Sequence, residues 1–238
     1  MAPITFYDIA LAPPAEKTSC SPNPWKTRYA LNFKKTPYKT TWVPLGEISS
    51  VRAALNIPAS RTFADGSPYQ TLPVISDPAT GRIVGDSFEN AVYLQEQYPS
   101  SGAGDLVPST GAGVADGPLK AYLKFNTNVD AAFTAYTQLV LEGFPFDPDT
   151  AEEDKAMMSG RIGVPWEALR ISEEKRAELF KAFEETLGGA SYADFIVGGW
   201  LRMYKGMLSA EEFKTLKGWH NGVFGKLHEA LEVFAQMD

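Results

Sequence analysis

The sequence contains a single cysteine, Cys20, among 238 residues, so no disulfide can form within the chain. This scarcity favours a reducing compartment. Basic residues are also too few for a nucleic-acid-binding face, because 22 Lys and Arg stand against 29 Asp and Glu, a net charge of −7. No apolar run reaches the roughly 18 residues of a membrane span, and the N-terminal segment lacks the pattern of a secretory signal. We expect a cytoplasmic protein that binds neither nucleic acid nor membrane.

Histidine is scarce as well, with only His220 and His228 present. They lie eight residues apart on a predicted helix, but no cysteine or carboxylate at ligand spacing completes a metal site. The sequence therefore predicts no metal. The Gly111–Gly113 pair lacks the preceding strand and the third glycine of a dinucleotide-binding loop, so a nucleotide cofactor is not predicted either.

The first hundred residues combine prolines with the alternation typical of strands. Strands are predicted at Ile4–Ile9, Tyr38–Val43, Thr71–Ser76 and Arg82–Val84. One helix is predicted from near Pro22 to about Phe33, and another begins after the capping residue Ser87 and ends before Pro99. The last two strands flank the turn Pro78–Gly81 and form a predicted hairpin. The order is β-α-β, an irregular segment, then β-β-α.

The second half of the chain is predicted to be helical. Apolar residues recur every three or four positions from Leu119 to Val140, which indicates one apolar helix face. Further helices are predicted at Ser172–Leu187 and from Ser191 to about Tyr204, and the segment Ala210–Met237 is predicted to supply at least one more. The fold class is therefore α/β plus all-α. We divide the chain into a domain at 1–105, a flexible linker at 106–117 and an all-helical domain at 118–238.

Ser21 directly precedes the predicted helix that opens with Pro22-Asn23-Pro24. Prolines suit a first helical turn, where their missing N–H would have no partner. The free N–H groups and the positive end of the helix dipole favour an anion at this point. Ser21 is thus either an ordinary helix cap or one wall of an anion site.

Pro73 interrupts the third predicted strand. Because proline cannot donate to a sheet ladder, it belongs at a strand edge or in a special turn. A cis Leu72–Pro73 bond would leave the backbone of Leu72 exposed for pairing with an extended peptide. An edge strand with a trans proline is the alternative.

Asp86 and Ser87 stand at the start of the next helix. Ser87 can cap that helix, and the N–H groups of its first turn can hold a carboxylate. Asp86 can pair with an ammonium group. The two residues together suit an amino-acid head that carries both charges, although a plain cap beside a solvated aspartate has the same sequence.

These three segments resemble, in order and spacing, the N-terminal domain of glutathione transferases. The segment Ser21–Leu31 resembles the Ser-Pro-Phe-x-x-Arg-x-Arg-x-Ala-Leu helix start of serine-type members. It is most similar to the fungal-specific class A (FuA) transferases, themselves similar to bacterial lignin β-etherases. Leu72-Pro73-Val74 resembles the Val-Pro-x-Leu segment with its cis proline, and Asp86-Ser87 resembles the Glu-Ser pair that holds the γ-glutamyl group. Ser191–Phe195 resembles the capping box of the family's buried helix.

The resemblance implies a thioredoxin-like glutathione-binding domain, an all-helical domain and a two-fold homodimer. It implies glutathione as co-substrate, with Ser21 donating a hydrogen bond to the thiolate. The residues expected to hold the tripeptide are Leu72, Pro73, Asp86 and Ser87, with Gln70 the first candidate for its glycine carboxylate and Arg61 the second. Its implied partners are hydrophobic aromatic or lignin-related electrophiles, which suggests a role in detoxification or in glutathione-dependent ether cleavage.

Two other functions remain open from the sequence. Cys20 lies one residue before Ser21, and a cysteine near a helix N-terminus can have a lowered pKa and form mixed disulfides with glutathione. In cysteine-type transferases, however, the thiol occupies the position directly before the proline. The protein could instead be a non-catalytic ligandin that binds phenolic compounds in a pocket lined by Phe125 and Phe133. Those two aromatic residues equally fit a helical core.

Overall fold

The computed structural model describes residues 2–59, 61–63, 65–107, 116–187 and 194–237. The chain divides into two compact units: one contains residues 1–10, 23–124 and 233–238, and the other contains residues 11–22 and 125–232. This division differs from the predicted limits of 1–105 and 118–238. Most of the predicted linker lies outside the described residues, so those limits stay predictions.

The strands of the first unit form a mixed sheet and a small hairpin. They are β1 (Ile4–Ala10), β2 (Tyr38–Pro44), β3 (Arg61–Thr62), β4 (Pro68–Tyr69), β5 (Val74–Asp77) and β6 (Arg82–Val84). The four-stranded sheet has the order β2-β1-β5-β6, while β3 pairs with β4 separately. β1 is parallel to β2 and antiparallel to β5, which in turn is antiparallel to β6. This mixed sheet confirms the predicted thioredoxin-like domain.

The helices largely follow the predicted pattern. They are α1 (Ala15–Thr18), α2 (Pro22–Phe33), α3 (Ile48–Ala54), α4 (Ser87–Gln97), α5 (Asp116–Thr134), α6 (Ala151–Ile162), α7 (Glu173–Leu187), α8 (Asp194–Met207) and α9 (Ala210–Leu231). The bounds of α2 are as predicted. α7 begins one residue later than predicted because Ser172 caps it, its Oγ accepting from the N–H of Lys175 at 3.2 Å. The predicted capping serine, Ser191, lies outside the described residues.

The core of the first unit joins the sheet to the two helices α2 and α4. Its buried apolar residues are Ile4, Phe6, Ala30, Leu31, Ile75, Tyr93 and Leu94. β1 and β5 contribute from the sheet, while α2 and α4 contribute from the helices. Because these elements pack together, the ends of β5, β6, α2 and α4 have fixed positions relative to each other.

Aromatic rings form the core of the second unit. Phe133 of α5 stacks on Trp200 with centroids 5.2 Å apart and meets the edges of Phe183 and Tyr204. α8 and α9 pack against each other along the unit. α9 is broken at Trp219–Gly222, where Trp219 is extended and the next three residues are left-handed. Among the described residues, no helix is both long and apolar enough to cross a membrane.

Candidate functional site

The β5–β6 hairpin brings two of the predicted binding segments together. Its register pairs Ile75 with Val84, so the residues before β5 adjoin those after β6. A Cβ placed on Gly85 would lie only 3.1 Å from the carbonyl oxygen of Pro73, which shows how closely the backbone segments at these two residues approach each other. The Leu72–Pro73 bond is cis, as predicted. Leu72-Pro73 and Asp86-Ser87 therefore lie side by side at one end of the sheet.

The cap of α4 is Asp86, not Ser87, which corrects the sequence prediction. The Asp86 Oδ1 accepts from the N–H of Phe88 at 3.0 Å. The N–H of Asp86 donates to Oε2 of Glu89 at 3.4 Å, which completes a capping box. Ser87 is instead the first helical residue, and its side chain is buried. Its N–H is therefore one of those at a helix start that have no acceptor within the helix.

Asp86 is held in its ionised form. Burial raises the pKa of this carboxyl, but the hydrogen bond with Glu89, the N–H of Phe88 and the charges of Arg61 and Lys26 together bring the pKa below its ordinary range. A negative charge at the start of α4 also interacts favourably with the helix dipole. Asp86 can therefore pair with an ammonium group.

Glu89 holds the proton of this acidic pair. Its side chain reaches solvent, yet its pKa is raised to about 7 by partial burial and by the hydrogen bond and charge of Asp86. Two carboxyl groups this close do not both ionise readily. At pH values between the two pKa values, the pair therefore carries one negative charge, located on Asp86, and Glu89 loses its proton as pH rises through about 7.

Gln70 has hydrogen-bonding capacity that the described residues do not use. Its Oε1 is buried and has no partner among the described residues. An unsatisfied buried acceptor costs about 1–3 kcal/mol, which a ligand N–H would recover. Arg61, the second candidate, is exposed on β3 opposite Tyr69, and its charge acts on Asp86. Among the segments expected to bind the tripeptide, Arg61 is therefore placed near Asp86.

Ser21 and Cys20 differ in accessibility. Ser21 is half-buried and directly precedes Pro22, where α2 begins. Cys20 is only 3% exposed, and its Cβ would lie 3.2 Å from a Cβ built on Gly206 of α8. A thiol packed this closely is poorly placed to attack a disulfide, because such exchange requires access to the sulfur.

The two aromatic residues predicted to line a second pocket have different environments. Phe133 is 1% exposed and enclosed by three other rings. It has the packing of a core side chain. Phe125 is half-buried on α5, so its role in a pocket stays a prediction.

Neither histidine forms a metal-binding cluster with other described residues. In the described ranges, no group of three or more His, Cys, Asp or Glu side chains could hold an ion. His228 is buried, and its Nε2 lies 3.1 Å from Oε1 of Glu232. His220 lies in the break of α9, with its ring edge-on to Phe224. The contacts of both residues are therefore structural.

Sequence reasoning missed two residues that support the site. Glu89 stands three residues after Asp86, and the acidic pair at this spacing is a capping-box signal that would have found it. Arg52 of α3 is fully buried and donates to the carbonyl oxygens of Thr71 and Pro58. Its contacts are between residues distant in sequence, and no local pattern indicates them.

The sheet topology, the cis proline before β5 and the acidic cap of α4 define a thioredoxin-like domain, here followed by a helical region. Residues 20–97 match the family described as glutathione S-transferase, N-terminal domain. The chain belongs to the glutathione S-transferase family.

Solved structures support this assignment over the whole chain. A glutathione S-transferase of Ceriporiopsis subvermispora, crystallised with glutathione, is 30% identical with a TM-score of 0.84, covering 100% of this chain and 99% of its own. The glutathione transferase GSTFuA3 of Phanerochaete chrysosporium is 26% identical with a TM-score of 0.82, and the match covers 100% of this chain and 99% of that one. The resemblance to the FuA transferases is thus confirmed.

A curated relative matches over a shorter region. The glutathione S-transferase-like protein ustS of Aspergillus flavus is 30% identical over 103 residues, which are 41% of this chain and 36% of that protein. The matched region thus spans about a third of the relative's length.

Proposed function

We propose that this protein is a serine-type glutathione transferase, in which Ser21 stabilises the thiolate for attack on aromatic or lignin-related electrophiles. One observation carries the proposal: the segment Leu72-Pro73 lies beside an ionised Asp86 at the start of α4. Glutathione has an extended cysteinyl unit and a γ-glutamyl head with both charges. The backbone of Leu72 suits the first, and Asp86 with the N–H of Ser87 suits the second.

The remaining carboxylate of the tripeptide belongs to its glycine. Gln70, two residues before Leu72, offers an amide whose oxygen has no hydrogen-bond partner in the described part of the chain. We assign it to the glycyl end, where it can donate to the carboxylate while accepting from a ligand N–H. The glutathione-bound structure of the Ceriporiopsis relative supports glutathione as the ligand.

Thiolate stabilisation needs only modest energy. A free thiol has a pKa of roughly 8.5, and lowering it by about two units takes about 2.7 kcal/mol. A hydrogen bond to a charged group contributes roughly 1.5–3 kcal/mol, and a helix N-terminus adds roughly 0.3–1 kcal/mol. Ser21 at the start of α2 is therefore sufficient as a hydrogen-bond donor, with no base or metal required.

The test compares Ser21→Ala with Cys20→Ser. We expect Ser21→Ala to raise the pKa of bound glutathione by about one to two units, because one charge-assisted bond is lost. This is measured from the thiolate absorbance and the pH profile of conjugation to an aromatic electrophile. Cys20→Ser should leave conjugation intact, since Cys20 is buried. Activity that depends on Cys20, with a glutathione adduct on its sulfur, would replace the proposal with a cysteine-type thiol transferase.

The substrate class is tested separately. Aromatic electrophiles and β-aryl ethers are supplied with glutathione, and both conjugation and binding are measured. Conjugates or cleaved ethers support the transferase. Binding of phenolic compounds without turnover of any electrophile would identify a ligandin instead.

We also propose a homodimer with two-fold symmetry, as the family resemblance implies. Light scattering at micromolar concentration should give about twice the chain mass of 26.0 kDa. A mass equal to one chain would refute this assembly.

A further inference from the structure

Arg52 is a buried cation that binds backbone rather than a carboxylate. It lies on α3 with a fully buried side chain. Its Nη1 donates to the carbonyl oxygen of Thr71 at 2.6 Å, and its Nη2 donates to the carbonyl oxygen of Pro58. Burying a charge is costly unless hydrogen bonds compensate it, so these two carbonyl contacts are strongly favoured.

The contact of Arg52 with the Thr71 carbonyl oxygen fixes the orientation of the whole Thr71–Leu72 peptide unit. The carbonyl of Thr71 and the N–H of Leu72 belong to the same planar peptide unit. The cis bonds of the described residues do not include Thr71–Leu72, so this unit is trans and its C=O and N–H point in opposite directions. Holding the oxygen on Arg52 therefore aims the N–H of Leu72 away from α3.

We propose that Arg52 is a positioning residue for glutathione, which orients the Leu72 N–H toward the cysteinyl unit by holding the Thr71 carbonyl. This inference rests on the proposed function, in which Leu72 pairs with the tripeptide. Arginine suits the task because its planar fork can bind two carbonyls at once, whereas lysine presents a single charged head. Pro58 precedes β3 and Thr71 follows β4, so the Arg52 side chain holds both ends of the segment that contains this hairpin.

Charge supports the same assignment. Burial lowers the pKa of Arg52, and the Asp86 carboxylate opposes this change. Arg52 therefore links the two proposed binding segments, by hydrogen bond to Thr71 and by charge to Asp86. A guanidinium placed in this way acts through other groups and need not touch the ligand.

The first test measures glutathione affinity by calorimetry in the full-length protein. Arg52→Gln removes the charge and the two-armed fork, so we expect affinity for glutathione and for S-methylglutathione to fall about tenfold or more, since both ligands share the cysteinyl backbone. Arg52→Lys should restore part of the loss. The pH profile of conjugation should keep its midpoint in both variants, because the thiolate contact of Ser21 is untouched.

Lys34 supplies a matched control. It is also fully buried and donates to two carbonyl oxygens, of Pro99 at 3.3 Å and Gly104 at 2.8 Å, but it lies outside the proposed site. Lys34→Gln should lower the midpoint of urea unfolding without changing glutathione affinity. If both variants weaken binding in proportion to their loss of stability, Arg52 is merely structural and the inference is wrong.

A second measurement needs no substitution. In amide-resolved NMR of the wild-type protein, glutathione should shift the Leu72 amide and slow its hydrogen exchange. Bound glutathione with an unperturbed Leu72 amide overturns the inference and the pairing assigned to the Leu72 backbone, whereas Ser21-dependent conjugation would still support the transferase. Unchanged glutathione affinity in Arg52→Gln would likewise overturn the inference about Arg52 without affecting the proposed transferase activity. Failure of the wild-type protein to bind glutathione would overturn both the proposed function and this inference.

Discussion

Arg28 of α2 donates to the carboxylate of Asp8 on β1 at 2.7 Å, and neither side chain is exposed to solvent. Arg28 also donates to the hydroxyl of Tyr38 at 3.2 Å and lies 4.9 Å from the ring centre of Phe6. Burial lowers the pKa of Arg28, but the charge of Asp8 and the hydrogen bonds overcome this and raise it. This ion pair therefore ties α2 to the sheet that carries the site.

Breaking this pair should strongly destabilise the fold. Arg28→Met removes the cation that pairs with the buried Asp8 carboxylate and leaves hydrogen bonds such as that from the N–H of Ile9, so the free energy of unfolding should fall by about 3–5 kcal/mol. The double variant Arg28→Met, Asp8→Leu should lose markedly less. Urea unfolding measures both.

The exposed pair of Lys175 and Glu178 provides the control, with side chains 48% and 68% exposed. Lys175→Met should cost less than about 1 kcal/mol. A double variant as unstable as Arg28→Met alone would mean that the lost packing of Arg28, and not the loss of the cation beside Asp8, dominates.

Gly102 should not tolerate a side chain. Its φ is +75°, and an added Cβ would lie 2.0 Å from the carbonyl oxygen of Phe33. Gly102→Ala should lower the free energy of unfolding by about 2–4 kcal/mol through left-handed strain plus the clash. Gly81 has a φ of +70° with nothing within 4 Å, so Gly81→Ala should cost only the strain, about 1–2 kcal/mol. Equal losses in thermal or urea unfolding would contradict the steric argument.

Glu89 should make stability depend on pH near neutrality. Its folded pKa of about 7 lies above the ordinary 4.5, so the stability from its proton is complete below pH 4.5 and is lost as pH rises through 7. Glu89→Gln keeps an acceptor for the capping box but cannot titrate. Relative to this variant, the free energy of unfolding of the wild type should fall by on the order of 1 kcal/mol between pH 5 and 8, a figure reduced for solvent screening.

The contrast is Glu89→Ala, which also removes the capping acceptor of the Asp86 N–H. This variant should be less stable than Glu89→Gln at both pH values. Parallel pH profiles for the wild type and Glu89→Gln would show that the acidic pair does not share a proton.

His228 should have the opposite pH dependence. Burial and the charge of Lys205 lower its pKa to about 4, while Glu232 partly opposes them; Arg202 and Lys217 also disfavour the charged ring. Its stability contribution is therefore complete above pH 6.5 and is lost as pH falls through 4. As pH falls from 6.5 to 4, the free energy of unfolding of His228→Gln should therefore decrease by about 2 kcal/mol less than that of the wild type. Identical acid unfolding of the two proteins would refute this.

Local patterns were sufficient for much of the fold. The bounds of β6 were predicted residue for residue and those of α2 approximately, because turn signals and prolines mark them. The third strand begins at Val74 instead of Thr71, since a proline cannot donate within the ladder. The cap of α4 was misassigned because Asp86 and Ser87 are both good capping residues, and only the three-dimensional path selects between them.

Long-range contacts set the limit of prediction for the site. Arg28 matches an arginine of the family motif and Arg52 resembles an ordinary surface charge, but the sequence does not indicate that partners on other elements bury both side chains. Phe133 has the same helical spacing whether it lines a pocket or fills a core. The sequence predicts at least one helix over Ala210–Met237 but does not locate the break at Trp219–Gly222, because the flanking apolar pattern continues on both sides.

The two compact units are each discontinuous in the sequence. Residues 11–22 interrupt the first unit and belong to the second, and the chain returns to the first unit at its last six residues, 233–238. A single crossover between two related genes therefore cannot exchange either unit intact. Chimaeras of this protein with its relatives should retain both cores only if the segment 11–22 and the C-terminal residues come from the same parents as the units to which they belong.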